Sequence, residues 1–245
     1  MPFLVDTSKR SDKEELMDDF SIGGDYLRDV LDKLENINRW LGGNLVTVNS
    51  LKKVLKNHQK NQEIVIADIG CGHGDILRDV AKFGRKKGYK FKLIGIDANP
   101  AAIEYANELS TEFPELSFIV EDIFSDDFKN RQFDVVLATL FFHHFKEKPL
   151  VSFLEDTLKH TQKAIIVNDL HRHKLAYYLF KLLSLFIKNK MIIHDGLVSV
   201  LRGFKRKDLE KMSNKLRQAQ FDKFETQISW KWAFRWQWIL ASHKC

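Results

Sequence analysis

Between residues 64 and 75 the chain reads IVIADIGCGHGD: an apolar run, then Gly70, Gly72 and Gly74, with carboxylates at Asp68 and Asp75 on either side. A strand that ends in glycines and runs straight into a helix brings backbone N–H groups and the positive end of the helix dipole to one point, where no side chain blocks a ligand. The pattern is that of a nucleotide-type pocket, and the acids restrict it further. The dinucleotide fingerprint needs a small residue at its third position, where this chain has Asp75, whose charge repels a diphosphate. No Gly-Lys-Ser/Thr follows, so a triphosphate loop fits worse. A second apolar run, LIGIDANP, ends in Asp97, where a carboxylate can accept both hydroxyls of a ribose. A third ends in Glu121-Asp122-Ile123, suited to an adenine, with Asp122 on the amino group and Ile123 over the ring. Asp68, Asp97 and Asp122 close three successive strands and converge on one sheet edge, which is where open α/β sheets bind ligands.

These residues resemble the class I methyltransferases that use S-adenosylmethionine. Their Asp/Glu-x-Gly-x-Gly-x-Gly hallmark is met in full by Asp68-Ile-Gly70-Cys-Gly72-His-Gly74. The resemblance covers residues 64–168 and implies S-adenosylmethionine as cofactor and S-adenosylhomocysteine as product. It carries Asp97, with Ala98 beside it, over to the ribose, Asp122 and Ile123 to the adenine, and Thr139 and Leu140 to the methionine moiety. Acids suit this cofactor, which has a sulfonium and an ammonium and no phosphate.

Methyl transfer is an in-line displacement, so positioning supplies most of the catalysis. A hydroxyl acceptor also gains from a base matched to neutral pH, and histidine is the usual one. His143 and His144 follow the fourth strand, His171 follows the fifth within NDLHRH, and His194 opens a turn-like His-Asp-Gly. His171 is the first choice for the base, then His143 and His194; the plain alternative for each is a helix cap or a backbone bond. His144, Arg172 and Arg202 are candidates for holding an acidic or phenolic oxygen, against surface ion pairs. Asp195 either orients His194 or begins a turn. No metal is expected, since neither cysteine spacing nor an acidic cluster signals one.

The hydrophobic-His-His pattern is similar to small-molecule methyltransferases, including quinone-biosynthesis enzymes. The NDLHR and HDG segments resemble a bacterial subgroup of aromatic polyketide or pigment pathways. Together they imply a small, aromatic and rather apolar acceptor methylated at oxygen. The motif Asn/Asp-Pro-Pro-Tyr/Phe of amino methylation is missing after the fourth strand, and so is the cysteine nucleophile of cytosine C5 methylation. An RNA methyltransferase is the runner-up, motivated by a formal net charge of +6. A methyltransferase-like binding protein without catalysis is the third reading, and nucleic acid is otherwise not expected as a partner.

The elements that must position these groups follow from periodicity. Residues 61–168 alternate β-branched runs with amphipathic helices, the rhythm of a parallel sheet covered on both faces. Residues 1–60 read as an N-terminal helical cap, 169–204 as a lid insertion, and 205–245 as a C-terminal helix and strands. The expected fold is a single α/β, doubly wound, Rossmann-like domain, and the resemblance adds a mainly parallel seven-stranded sheet with an antiparallel last strand. The stretch LAYYLFKLLSLFI is apolar nearly all round and reads first as a buried helix over the pocket, second as an interfacial helix meeting a membrane surface. Trp230, Trp232, Phe234, Trp236 and Trp238 alternate and would share one face of an uninterrupted strand, although the family's terminal hairpin breaks that register. Two cysteines, no secretory signal and no membrane-spanning run place the chain in the cytoplasm.

Overall fold

The computed structural model describes residues 5–219 and 224–242. Cys245 lies outside them, and Cys71 is buried. Two helices, α1 (Gly24–Trp40) and α2 (Gly43–Val54), precede the sheet. Then come β1 (Glu63–Ile69), α3 (Asp75–Lys87), β2 (Lys90–Asp97), α4 (Pro100–Leu109), β3 (Leu116–Val120), α5 (Asp126–Lys129), β4 (Phe133–Thr139), α6 (Glu147–Lys159) and β5 (Thr161–Leu170). Helices α7 (Lys174–Leu183), α8 (Lys190–Arg202) and α9 (Arg206–Gln218) lead to a hairpin of β6 (Phe224–Lys231) and β7 (Arg235–Ser242).

The seven strands lie in the order β3-β2-β1-β4-β5-β7-β6. Strands β1 to β5 run parallel, and β7 is antiparallel to both β5 and β6. This is a doubly wound, Rossmann-like fold. The central strands are buried on both faces, as their near-continuous apolar runs require. One face packs α6 and α9 through Leu154, Leu158, Leu209 and Met212; the other packs α2 and α3 through Leu51, Leu55, Leu77 and Val80. Helix α2 therefore belongs to the main helical layer rather than to a cap. The chain winds outward through β2 and β3 on one side of β1 and through β4 and β5 on the other, so a crevice opens where β1 meets β4.

Two sequence readings change. His194-Asp195-Gly196 forms no turn but lies inside α8, where Gly196 lets the Phe180 ring of α7 approach; a Cβ there would sit 2.1 Å from that ring. Helix α7 is not buried. Ala176 is its only buried residue, while Leu175, Leu179 and Leu182 are exposed. The aromatic alternation is broken, as the terminal hairpin implied, by the turn at residues 232–234, which leaves Trp236 and Trp238 in the core and Trp230 and Trp232 outside. Among the described residues no helix is long and apolar enough to cross a membrane.

Candidate active site

A cleft of about 420 Å³ lies over the carboxyl ends of β1, β2 and β4. Its floor is the turn after β1. Gly70, Gly72 and Gly74 all have positive φ, at 65°, 52° and 78°, which a side chain would strain. A Cβ on Gly70 would also lie 2.1 Å from the Phe141 ring, and one on Gly74 2.6 Å from Phe118. The turn is pinned to β2: the Gly70 N–H donates to Ile96 O (2.8 Å) and the Gly72 N–H to Asp97 Oδ2 (2.9 Å). The Asn99 N–H donates to Asp97 Oδ1 at 2.9 Å, so the carboxylate faces the cleft from a fixed position.

Three acids line this floor, Asp68 buried and Asp75 and Asp97 half-buried. Burial pushes Asp68 well above the ordinary carboxylate range, and the negative charges of Asp75 and Asp97 push it further. Asp75 and Asp97 are raised as well, burial again being the larger cause. Asp68 Oδ1 has no hydrogen-bond partner. Such a group is costly in a dry wall unless a ligand pairs with it. Burial also raises the Cys71 thiol well above its usual value, which argues against a nucleophile there.

Several lining residues carried no sequence signal. A chain of side-chain bonds runs from Arg235 Nη2 to Asn38 Oδ1 (2.5 Å), from Asn38 Nδ2 to Asn44 Oδ1 (2.5 Å) and from Asn44 Nδ2 to Asp75 (2.9 Å). It fixes which way both amides point. Glu35 of α1 lies 2.8 Å from His73 Nε2, and this close contact holds the carboxyl down at about 2. Over the cleft sit Met17, Phe20, Leu27 and Leu31 from the N-terminal segment and α1, with Phe141 and Phe145 from the loop after β4.

The predicted site residues divide. Asp68, Gly70, Gly72, Asp97, Thr139, Leu140 and His144 line the cleft. Thr139 Oγ1 lies 2.8 Å from Thr47 Oγ1, and Leu140 takes a positive φ of 54° as the strand turns away. Gly74 acts from just behind, as the left-handed residue that opens α3. Ala98 is half-buried beside Asp97 and is not part of the lining. Asp122 and Ile123 fall outside it too: Asp122 Oδ1 accepts the Phe124 N–H (2.9 Å), and Ile123 turns into the core.

The histidines are redistributed. His171 is on the far side of β5, where its Nδ1 accepts the Trp230 Nε1–H (3.2 Å) and its ring meets Trp236 edge-on at 4.9 Å. Burial first, then His173, Lys205 and Arg172, lowers it to about 4. It does not line the cleft, which is the correction to its first rank as base. His143 is buried with Nδ1 2.8 Å from Asp169 and Nε2 3.4 Å from Glu15. Burial alone would lower it, but the two carboxylates raise it to about 9. A histidine held protonated in this way does not serve as a base at neutral pH. His194 is exposed on α8 and pairs with Asp195 at 2.8 Å, while Asp195 accepts the N–H groups of Leu16 and Met17.

Both arginines are committed to structure. Arg172 is buried and donates to Thr7 O, Gly203 O and Asp208. Arg202 donates to Asp18 (2.8 Å) and to the carbonyls of His143 (3.2 Å) and His144 (2.5 Å). Glu15, His143 and His144 bring ligand-type atoms within 4.8 Å of one another. Arg202 Nη1, 3.7 Å from Glu15 Oε1, already places a positive charge beside that oxygen.

His144 alone of the four histidines reaches the cleft. Its Nδ1 lies 2.7 Å from Asp18 Oδ1, an orientation of the imidazole by a carboxylate.

The methyltransferase domain family matches residues 66–164, the segment that carries β1 to β5. This part of the chain is similar to that family. A sterol 24-C-methyltransferase of Debaryomyces hansenii is 30% identical over 83 residues, which is 33% of this chain and 21% of that protein. The chain thus matches about a fifth of that relative's length. Among solved structures, the plantazolicin methyltransferase BpumL in complex with S-adenosylhomocysteine superposes with a TM-score of 0.68 at 18% identity, covering 88% of this chain and 89% of that one. The magnesium protoporphyrin IX methyltransferase of Synechocystis PCC 6803, also with S-adenosylhomocysteine, gives 0.52 at 15% identity, covering 82% and 83%. The matched segment includes the glycine turn, β2 with Asp97 and the loop bearing His144. The helices above the cleft lie outside the matched segment.

Proposed function

We propose that the chain transfers the methyl group of S-adenosylmethionine to a hydroxyl oxygen of a small, apolar, aromatic acceptor. The observation that carries the reading is the set of buried and half-buried carboxylates Asp68, Asp75 and Asp97 around a glycine turn, one oxygen of Asp68 being without a partner. A cationic ligand relieves that charge, whereas a phosphate-bearing nucleotide adds to it. The bound S-adenosylhomocysteine of the two methyltransferases above supports the same cofactor.

When bound, the cofactor supplies an electrophilic methyl group on a sulfonium. The chain supplies position. Asp97, gripped by two backbone N–H groups, is set to accept ribose hydroxyls, and Asp68 offers its open oxygen to the ammonium. Phe20, Phe141, Phe145 and Met17 give the acceptor side an apolar, aromatic rim that excludes water. With its Nδ1–H donated to Asp18, His144 has Nε2 left to take the acceptor's proton.

Calorimetric titration with S-adenosylmethionine and S-adenosylhomocysteine, with NADH as control, tests the cofactor. Micromolar binding of the first two alone supports the reading, and binding of neither by folded protein overturns it. For the base, His144→Gln is expected to lower kcat by roughly a hundredfold with little change in cofactor affinity. Unchanged turnover on a phenolic acceptor would remove His144 from that role.

A further inference from the structure

Helix α7 has an inside and an outside. Ala176, Phe180 and Leu183 face inward, with Phe180 packed on Gly196 of α8. Leu175, Leu179 and Leu182 recur at i, i+4 and i+7 and form one exposed stripe. The short 3-10 turn Ser184–Phe186 extends that stripe to a tip where Leu185 is 75% and Phe186 82% exposed. An apolar face of this kind on a helix tip is not surface noise, since large exposed hydrophobics normally occur singly.

Within this segment of the sequence the charge has one sign, although Asp6 of the N-terminal segment lies near Lys174. No aspartate or glutamate occurs between Asp169 and Asp195, whereas Lys174, Lys181, Lys188 and Lys190 all do, and all four are exposed. The β6–β7 hairpin continues the pattern: Trp232, 67% exposed, lies next to Lys231, and no acid follows Glu225. The two features touch, because His173, which caps α7, stacks on Phe234 of the hairpin turn at 5.5 Å. Apolar side chains along a helix and at its tip, an exposed tryptophan on the hairpin that touches the helix's other end, and an excess of lysines are the complement of one surface: apolar at acyl depth, aromatic at the headgroups, negative outside.

We infer that α7, its tip and the hairpin turn dock this protein on an anionic phospholipid bilayer. The docking stands on these residues alone and does not depend on the methyl-transfer reading. It gives that reading a direction, since α7 packs on α8, and Asp195 of α8 holds the backbone of Met17 at the rim of the cleft. A lipophilic acceptor dissolved in the bilayer would meet the cleft from this side.

The test is co-sedimentation of the full chain with phosphatidylcholine vesicles, with and without phosphatidylglycerol. Binding is expected only to the anionic vesicles and is expected to weaken as salt is raised. Phe186→Ser and Leu182→Ser, both on exposed positions outside the cleft lining, are each expected to reduce binding by roughly tenfold or more, as loss of a buried apolar side chain implies. The same variants should titrate S-adenosylmethionine like the parent, so vesicle binding and cofactor binding can fail separately. Failure of folded parent protein to sediment with anionic vesicles at low salt overturns the proposal. A concentration-dependent dimer in sedimentation velocity that Phe186→Ser dissolves also overturns it, because a second copy would then be the occupant.

Discussion

At the scale of single residues, the glycine turn separates two effects that sequence alone combines. Gly70 and Gly72 both have positive φ, but a Cβ on Gly70 would strike the Phe141 ring, whereas one on Gly72 would meet only Leu31 at 3.6 Å. Gly72→Ala is therefore limited to backbone strain of about 1–2 kcal/mol and should weaken S-adenosylmethionine binding modestly. Gly70→Ala adds the displacement of an aromatic ring that lines the cleft and is expected to abolish binding in the same calorimetric titration. Equal losses for the two would mean that strain alone matters. Asp97→Ala removes an acceptor and also frees the N–H groups of Gly72 and Asn99. Its expected cost to cofactor binding is about 1–3 kcal/mol, and unchanged affinity would end its assignment to the ribose.

At the scale of elements, legibility followed the range of the contacts. Strands β1, β2 and β4 could be read because burial on both faces forces an apolar run, and the turn after β1 because positive φ selects glycine. The acids at those strand ends were legible for the same local reason. Helix α7 was not: periodicity shows that a helix is apolar, not what its outer face meets. The His-Asp-Gly segment was read as a turn because Gly196 looks like punctuation, yet its small size serves the crossing of α7 over α8. Glu15, Asp18 and Asn38 escaped because their partners are more than a hundred residues away, at Ser199, His144 and Arg235. The crossing makes a contrast that can be measured. Gly196→Leu should lower stability by about 1–3 kcal/mol through overpacking against Phe180, seen as a drop in Tm. Leu182→Ser on the outer face of the same helix should leave Tm nearly unchanged, and a comparable drop for both would mean that α7 is not free on that side.

At the scale of the molecule, one buried ionic knot ties three distant parts of the chain together. His143 follows β4, Asp169 ends β5, and Glu15 comes from the N-terminal segment whose neighbours Met17 and Phe20 cover the cleft. Arg10 reinforces the tie by donating to the His143 and Arg202 carbonyls at 2.8 and 2.7 Å. The knot has a pH window. His143 is raised from 6.5 to about 9, so its contribution is complete below about 6.5 and disappears as pH rises through about 9. Against the upward push of burial, His143 holds Asp169 and Glu15 below their ordinary values. Their contribution is therefore present above the ordinary carboxylate range and is lost only as pH falls beneath it. The three shifts describe one set of interactions and count once, on the order of 3 kcal/mol for the histidine's displacement. The covering segment should thus stay docked from mildly acid to neutral pH and loosen in alkali. Limited trypsinolysis between about pH 7 and about pH 10 checks this, with cleavage at Lys9 and Lys13 expected to accelerate relative to sites in α3. In His143→Gln the neutral side chain cannot pair with either carboxylate as an ion, so cleavage should be fast at both pH values. A parent protein whose N-terminal cleavage keeps pace with α3 across the range would show that the knot does not hold the cover.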